Sequence, residues 1–146
     1  MSAGTIVLLP GATGRAELIE DLASLDVPLL DIDLPMADPA PLSVRACAAI
    51  HGGLGTADPD APCIVIAPSE SALIVPAVSL AQRRAGRAVG GYVLIEPGED
   101  PTSGDWPDAR VVVVAPDGHP SLRRAELRGW ERRSDGVLNA VASLLG

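Results

Sequence analysis

Lysine and phenylalanine do not occur in this chain of 146 residues, and tyrosine and tryptophan together number three: Tyr92, Trp106 and Trp130. All eleven basic residues are arginine, against nineteen carboxylates and a formal net charge of -8. A chain with no basic stripe to neutralise phosphates and no aromatic platform for bases is not built to bind nucleic acid. There are two cysteines, Cys47 and Cys63, without a CxxC spacing or a nearby histidine pair. They read as reduced thiols of an intracellular protein, and no metal-ligand cluster of His, Cys and Asp stands out. The apolar run Ile6-Val7-Leu8-Leu9 is too short for a signal peptide or a membrane span, and no basic segment precedes it. A cytoplasmic protein, with no membrane and no cofactor in its chemistry, is the expectation.

What the chain does have is apolar residues, at 47% of the total, which is ample for the core of one domain over residues 1–146. Four runs rich in β-branched residues stand out, Thr5–Leu9, Cys63–Ala67, Gly91–Ile95 and Arg110–Ala115, with a weaker fifth over Val27–Ile32. None alternates apolar with polar residues, which is the pattern of parallel strands covered on both faces. Between them, Arg15–Leu25, Leu42–Leu54, Ala72–Arg84 and Leu138–Leu145 carry apolar residues at helical spacing. Pro76 inside the third should kink that helix or delay its start. Ala37–Pro41, Thr56–Pro62 and Pro97–Pro107, rich in Pro, Gly and Asp, read as surface loops. Strand and helix in alternation predict an α/β doubly wound sheet.

Pro10-Gly11-Ala12-Thr13-Gly14 follows the first strand and opens the first helix. Glycine there permits a tight turn that aims free N–H groups above the sheet. A dinucleotide site would use Asp31 or Asp33 at the end of the next strand, but Glu17 replaces the third glycine of that fingerprint and sets a negative charge toward the pyrophosphate. The other use of the same N–H groups is half of an oxyanion hole. That directs attention to Ala67-Pro68-Ser69-Glu70-Ser71, at the end of the strand expected at the centre of the sheet and ahead of an apolar helix. A serine held on a strained strand-to-helix turn needs small residues two before and two after it, and Ala67 and Ser71 are small. Serine at such a position also serves simply as a helix cap.

The stretches "TIVLLPGATGRAELIEDLASLDVPLLDIDLP", "APCIVIAPSESALIVPAVSLAQRRAGRAVGGYVLIEPG" and "DARVVVVAPDGHPSLRRAELRGWERRSDG" resemble the small actinobacterial-type α/β-hydrolases, whose elbow reads like GHSGAG ahead of a "LLPAI" helix and a "YVFVDAG" strand. The resemblance spans most of the chain. It implies a three-layer α/β-hydrolase-like fold, a mostly parallel sheet with helices on both faces and no lid domain. It sets Ser69 at the nucleophile, Glu96 at the acid-bearing strand end and "RGWERRSDG" at the last strand, with small esters, thioesters or related acyl compounds as substrates. Ala12 and Glu70 would supply the oxyanion N–H groups, and Gly11, Thr13, Pro68 and Ser71 would border the substrate.

This sequence departs from that pattern. Both elbow glycines are replaced, Pro68 stands where the family commonly has histidine, and Ser134-Asp135-Gly136 runs into Val137-Leu138-Asn139 where a catalytic histidine is due. A serine hydroxyl is a poor nucleophile without a base in hydrogen-bond reach. His51 falls on a helix ahead of the elbow strand, suited to a solvent-facing or capping role. His119, in the loop after Arg110–Ala115, lies at the sheet edge where open α/β folds bind ligands, so it is the candidate displaced base, oriented by Asp117 or Glu96. Two expectations follow: a serine-dependent enzyme, or a repurposed relative, acting on a small acyl compound; or a catalytically inactive pseudo-hydrolase that serves as a binding or scaffold protein. A mouth without a lid is one that a second copy of the chain could cover.

Overall fold

A computed structural model describes residues 4–11, 14–35, 41–55, 61–98 and 109–145. Six strands form one sheet in the order β2-β1-β3-β4-β5-β6: β1 (Ile6–Leu8), β2 (Leu29–Asp31), β3 (Cys63–Pro68), β4 (Val89–Ile95), β5 (Val111–Val114) and β6 (Glu131–Arg133). All five pairings are parallel. Five α-helices lie between and after them: α1 (Arg15–Ala23), α2 (Leu42–Leu54), α3 (Val75–Arg84), α4 (Pro120–Arg128) and α5 (Val137–Leu145).

The unbroken apolar strands are explained by two separate cores. Ile6, Leu8, Ile64, Ile66, Val93, Val112 and Val114 pack on one face of the sheet against Leu22 of α1 and Ala140 and Val141 of α5. Val7, Leu9, Val65, Ala67, Tyr92, Leu94, Val111 and Val113 point the other way, onto Ala46 and Ile50 of α2, Val75 and Val78 of α3 and Ala125 of α4. Successive strand residues alternate faces, so a strand with helices on both sides must be apolar at every position. The result is a three-layer α/β fold. The chain steps from β1 outward to β2, then returns past β1 to β3. Right-handed crossovers travelling in opposite directions put their helices on opposite faces. That reversal leaves a crevice beyond the carboxyl ends of β1 and β3, the place where open α/β sheets bind ligands.

Where helix packs most closely on sheet, the sequence has glycine. A Cβ at Gly91 would lie 2.8 Å from the Leu144 side chain of α5 and 3.2 Å from the Arg110 carbonyl oxygen. A side chain there would force the Leu144 side chain or the β4 backbone to shift.

Several local outcomes differ from expectation. The helix expected over Ala72–Arg84 is divided: Ser69–Ile74 form a 3₁₀ turn, and α3 begins at Val75. Pro76 has no N–H and its ring excludes the carbonyl one turn back, so it is accommodated in the first turn of α3. The periodicity gave no sign of α4, because few of its residues are apolar. Its signals are local ones: Pro120 at the first turn and Gly129 in the left-handed conformation at the end (φ 75°), whose N–H reaches the Ala125 and Glu126 carbonyls. The last strand, anticipated within "RGWERRSDG", is Glu131–Arg133; three charged residues on a sheet edge discourage pairing with other chains. Both cysteines carry free thiols, and burial raises that of Cys63 to about 11. The three loops expected from composition fall largely outside the described residues. Among the described residues no helix is long and apolar enough to cross a membrane.

Candidate functional site

The carboxyl ends of β1, β3, β4 and β5 bring the sequence candidates to one edge of the sheet. β3 ends at Pro68 with extended backbone (φ −73°, ψ 133°), and the next residue, Ser69, turns to φ 44°. A left-handed conformation at a residue with a Cβ costs roughly 1–2 kcal/mol. It persists because a buried strand on one side and a 3₁₀ turn on the other over-determine it. The turn lifts Ser69 and Glu70 out of the sheet, and both are exposed.

β3 and β4 run in register to Pro68 and Ile95, so Ser69 and Glu96 leave their strands side by side. Glu96 is also left-handed, at φ 43°, its N–H is donated to the Val114 carbonyl, and its side chain is exposed. Sequence reasoning put Glu96 at an acid-bearing strand end; the register adds that it is the immediate neighbour of the serine. Asp117 and His119 follow β5, one strand further along.

Two of the residues expected to border a substrate are placed differently. Pro68 is buried at the end of β3. Ser71 is wholly buried, and its hydroxyl is donated to the Pro10 carbonyl. A serine two residues after the elbow therefore ties the β3 turn to the loop after β1 and is not presented to the crevice. Gly11, in the left-handed region (φ 103°), lies in the same loop, with its Cα facing the Pro68 carbonyl. Ala12 and Thr13 lie outside the described residues, so the oxyanion pair can be located only at Glu70. Its N–H is among the first of a helical turn, where backbone donors have no acceptor within the turn.

His119 is the N-cap of α4. Its Nδ1 accepts the Ser121 N–H at 3.2 Å and lies 2.7 Å from the Ser121 hydroxyl. An imidazole that accepts at Nδ1 carries its neutral-form proton on Nε2. A base for serine needs the opposite arrangement, with a proton on Nδ1 held by a carboxylate and Nε2 bare. Among the described residues no hydrogen bond joins His119 to Asp117, Glu96 or Ser69. His51 is no substitute. It sits in the last turn of α2, 3.5 Å from the Arg87 guanidinium, which belongs to the opposite edge of the sheet.

One residue at this edge went unnoticed in the sequence. Arg15, the first residue of α1, donates to the carbonyls of Leu9 (2.7 Å), Gly11 (2.9 Å), Leu8 (3.2 Å) and Ile32 (3.1 Å), and pairs with Asp31. It ties the ends of β1 and β2 to the glycine loop. Asp31 Oδ1 is thus engaged by a guanidinium. The signal was legible only in part: an arginine just after a glycine turn is commonplace until the carbonyls around it are known.

No protein-family model matches the chain, and no curated protein matches it.

Proposed function

We propose that this protein belongs with the α/β-hydrolases and handles a small ester, thioester or related acyl compound, whose carbonyl carbon comes to rest over the Ser69 hydroxyl. The observation that carries the reading is the exposed serine in left-handed conformation at the tip of β3, beside the crevice where the strand order reverses. A plain helix cap does not require that strain. On this reading Ser69 Oγ attacks the carbonyl, the Glu70 N–H and the loop at Ala12 receive the developing oxyanion, and Gly11 lets that loop approach. The hydroxyl proton passes to the neighbouring strand ends, where Glu96 stands next to the serine and His119 with Asp117 one strand away.

The capped state of His119 favours a second reading, a relative that has kept the turn and the crevice for binding while hydrolysis is lost. One experiment separates the two. Incubation of the full chain with a fluorophosphonate, followed by intact-mass measurement, gives a single adduct that Ser69→Ala abolishes if the serine is a nucleophile. Absence of any adduct, with retained binding of an unreactive acyl analogue, would establish the binding protein. Comparing Glu96→Gln with His119→Ala by adduct formation rate identifies the group that takes the proton.

A further inference from the structure

The helical segment that follows Ser69 has two sides of different character. Its inward side is settled by the core: Ser71, Ala72, Val75, Val78 and Gln82 are buried. Opposite them, along the 3₁₀ turn and α3, stand Glu70, Leu73, Ala77, Leu80 and Arg84, all exposed. Leu73 is 51% exposed and Leu80 46%, two of the four large apolar side chains left so open among the described residues. A lone exposed leucine is ordinary, whereas an apolar stripe along one side of a helix marks a place of contact. The adjoining α2 widens the stripe. Its Cys47 Sγ lies 3.8 Å from the Ala77 carbonyl oxygen, and Val44, one turn earlier, is exposed together with Ala48.

The five positions are spaced by 3, 4, 3 and 4 residues, the repeat that keeps a seam of one helix facing a second helix. Their chemistry is self-complementary. Glu70 and Arg84 stand seven residues on either side of Ala77, with Leu73 and Leu80 between. Laid antiparallel on a copy of itself about a two-fold axis at Ala77, the stripe sets Leu73 on Leu80 and Glu70 on Arg84. Each contact then occurs twice, as a two-fold interface requires. Ala77 at the axis carries only a methyl group, which lets the two helices approach closely. Among the described residues neither Glu70 nor Arg84 has an ion-pair partner in its own chain. The wider charge distribution agrees. Copies that each carry a net charge of -8 repel one another. Residues 42–54 and 71–87 hold four of the eleven arginines and none of the nineteen carboxylates, so the α2–α3 face lacks the charges that keep copies apart.

We infer that two copies of this chain associate through the outward side of α3 and the turn before it, as an antiparallel two-fold pair with Ala77 at the axis and Val44 and Ala48 of α2 at the flank. The second copy's Arg84 then meets Glu70, the chain neighbour of Ser69, so the dimer borders the serine crevice. The association does not depend on Ser69 being a nucleophile. A contact made by one helix and part of another lies at the small end of specific interfaces, below about 1,200 Å2 in total, so the dimer forms and dissociates over micromolar concentrations.

Sedimentation velocity on the full chain, across low to high micromolar concentration, tests this. A monomer–dimer equilibrium is expected for the parent. Leu80→Asp puts a charge into the seam of both copies and should leave monomer at every concentration, with thermal unfolding like the parent's to show that the fold is kept. Glu70→Arg and Arg84→Glu each turn two attractive pairs into two repulsive ones, and each should weaken the dimer by about tenfold or more. An equimolar mixture of those two variants again sets opposite charges at both pairs, so it should dimerise as the parent does although neither component does so alone. This arm stands even if Leu80→Asp fails to fold. A parent that stays monomeric, assembly that grows past two copies, a dimer that Leu80→Asp leaves intact, or a mixture no tighter than its components would each overturn the assignment.

Discussion

The two edges of the sheet solve opposite problems. At the carboxyl edge the polar side chains with most to offer chemistry, Ser69, Glu70 and Glu96, stand exposed, and the strain needed to hold them is met by buried ties beneath: Ser71 on Pro10, and Arg15 on four carbonyls. At the amino edge polarity is instead buried, with Gln82 and Tyr92 almost fully enclosed. An exposed, strained edge is suited to reaction, because only groups that reach a substrate can act on it.

The largest expected effect breaks the comparison at its first term. Ser69→Ala should remove all fluorophosphonate adduct while leaving the fold intact, and Ser69→Gly should in addition raise stability by about 1 kcal/mol as left-handed strain is relieved. Denaturant unfolding monitors the second effect, and a Ser69→Gly variant less stable than the parent would mean the turn is not strained. Next is the clamp beneath. Arg15→Met leaves several carbonyl oxygens and Asp31 without a donor, so a loss of about 3 kcal/mol in the same measurement is expected, with the amides of the Gly11 loop exchanging faster.

Third comes the amino edge. Gly91→Ala forces either Leu144 or the β4 backbone to move and should cost about 1–3 kcal/mol, with no change in phosphonate labelling. His119→Ala removes the cap of α4 and should cost about 1 kcal/mol. If labelling is also unchanged, His119 is a cap and the proton goes elsewhere; if labelling falls by tenfold or more, the imidazole leaves its cap to serve as base. The smallest effect is expected at the polar sheet edge, where Arg110 bonds Glu131 at 2.9 Å and holds its carboxyl below the usual range. A depressed carboxyl contributes stability above its unfolded-state pKa and loses it as pH falls through the folded one. With both partners near half exposed, Glu131→Gln should cost under about 1 kcal/mol at neutral pH and nothing once the pH is well below the carboxylate range.

Much of the architecture was legible because it rests on pattern. Continuous apolar runs without alternation announced strands covered on both faces, and Pro76 announced the late start of α3. The range of α2 agreed to the residue. α4 escaped because its apolar stripe is thin and its ends are marked by caps alone. At the candidate site the position of Ser69 could be read from its place after an apolar strand. The burial of Ser71 could not, since a small polar residue after an elbow has the same letters whether it faces ligand or a carbonyl. Nor could the role of His119, because which ring nitrogen accepts depends on an N–H two residues onward being held in a helix.

Composition and the alternation of apolar runs with helical periodicity pointed to a parallel sheet between two helical layers, because strands that are apolar at every position need cover on both faces. Only the assembled tertiary structure decided which polar atoms meet. Hydrogen bonds act over about 3 Å, and a linear pattern carries no information at that scale until distant segments are set side by side. The register that brings Glu96 to Ser69, the carbonyls gathered around Arg15 and the unmet oxygen of Gln82 all belong to that second kind of knowledge.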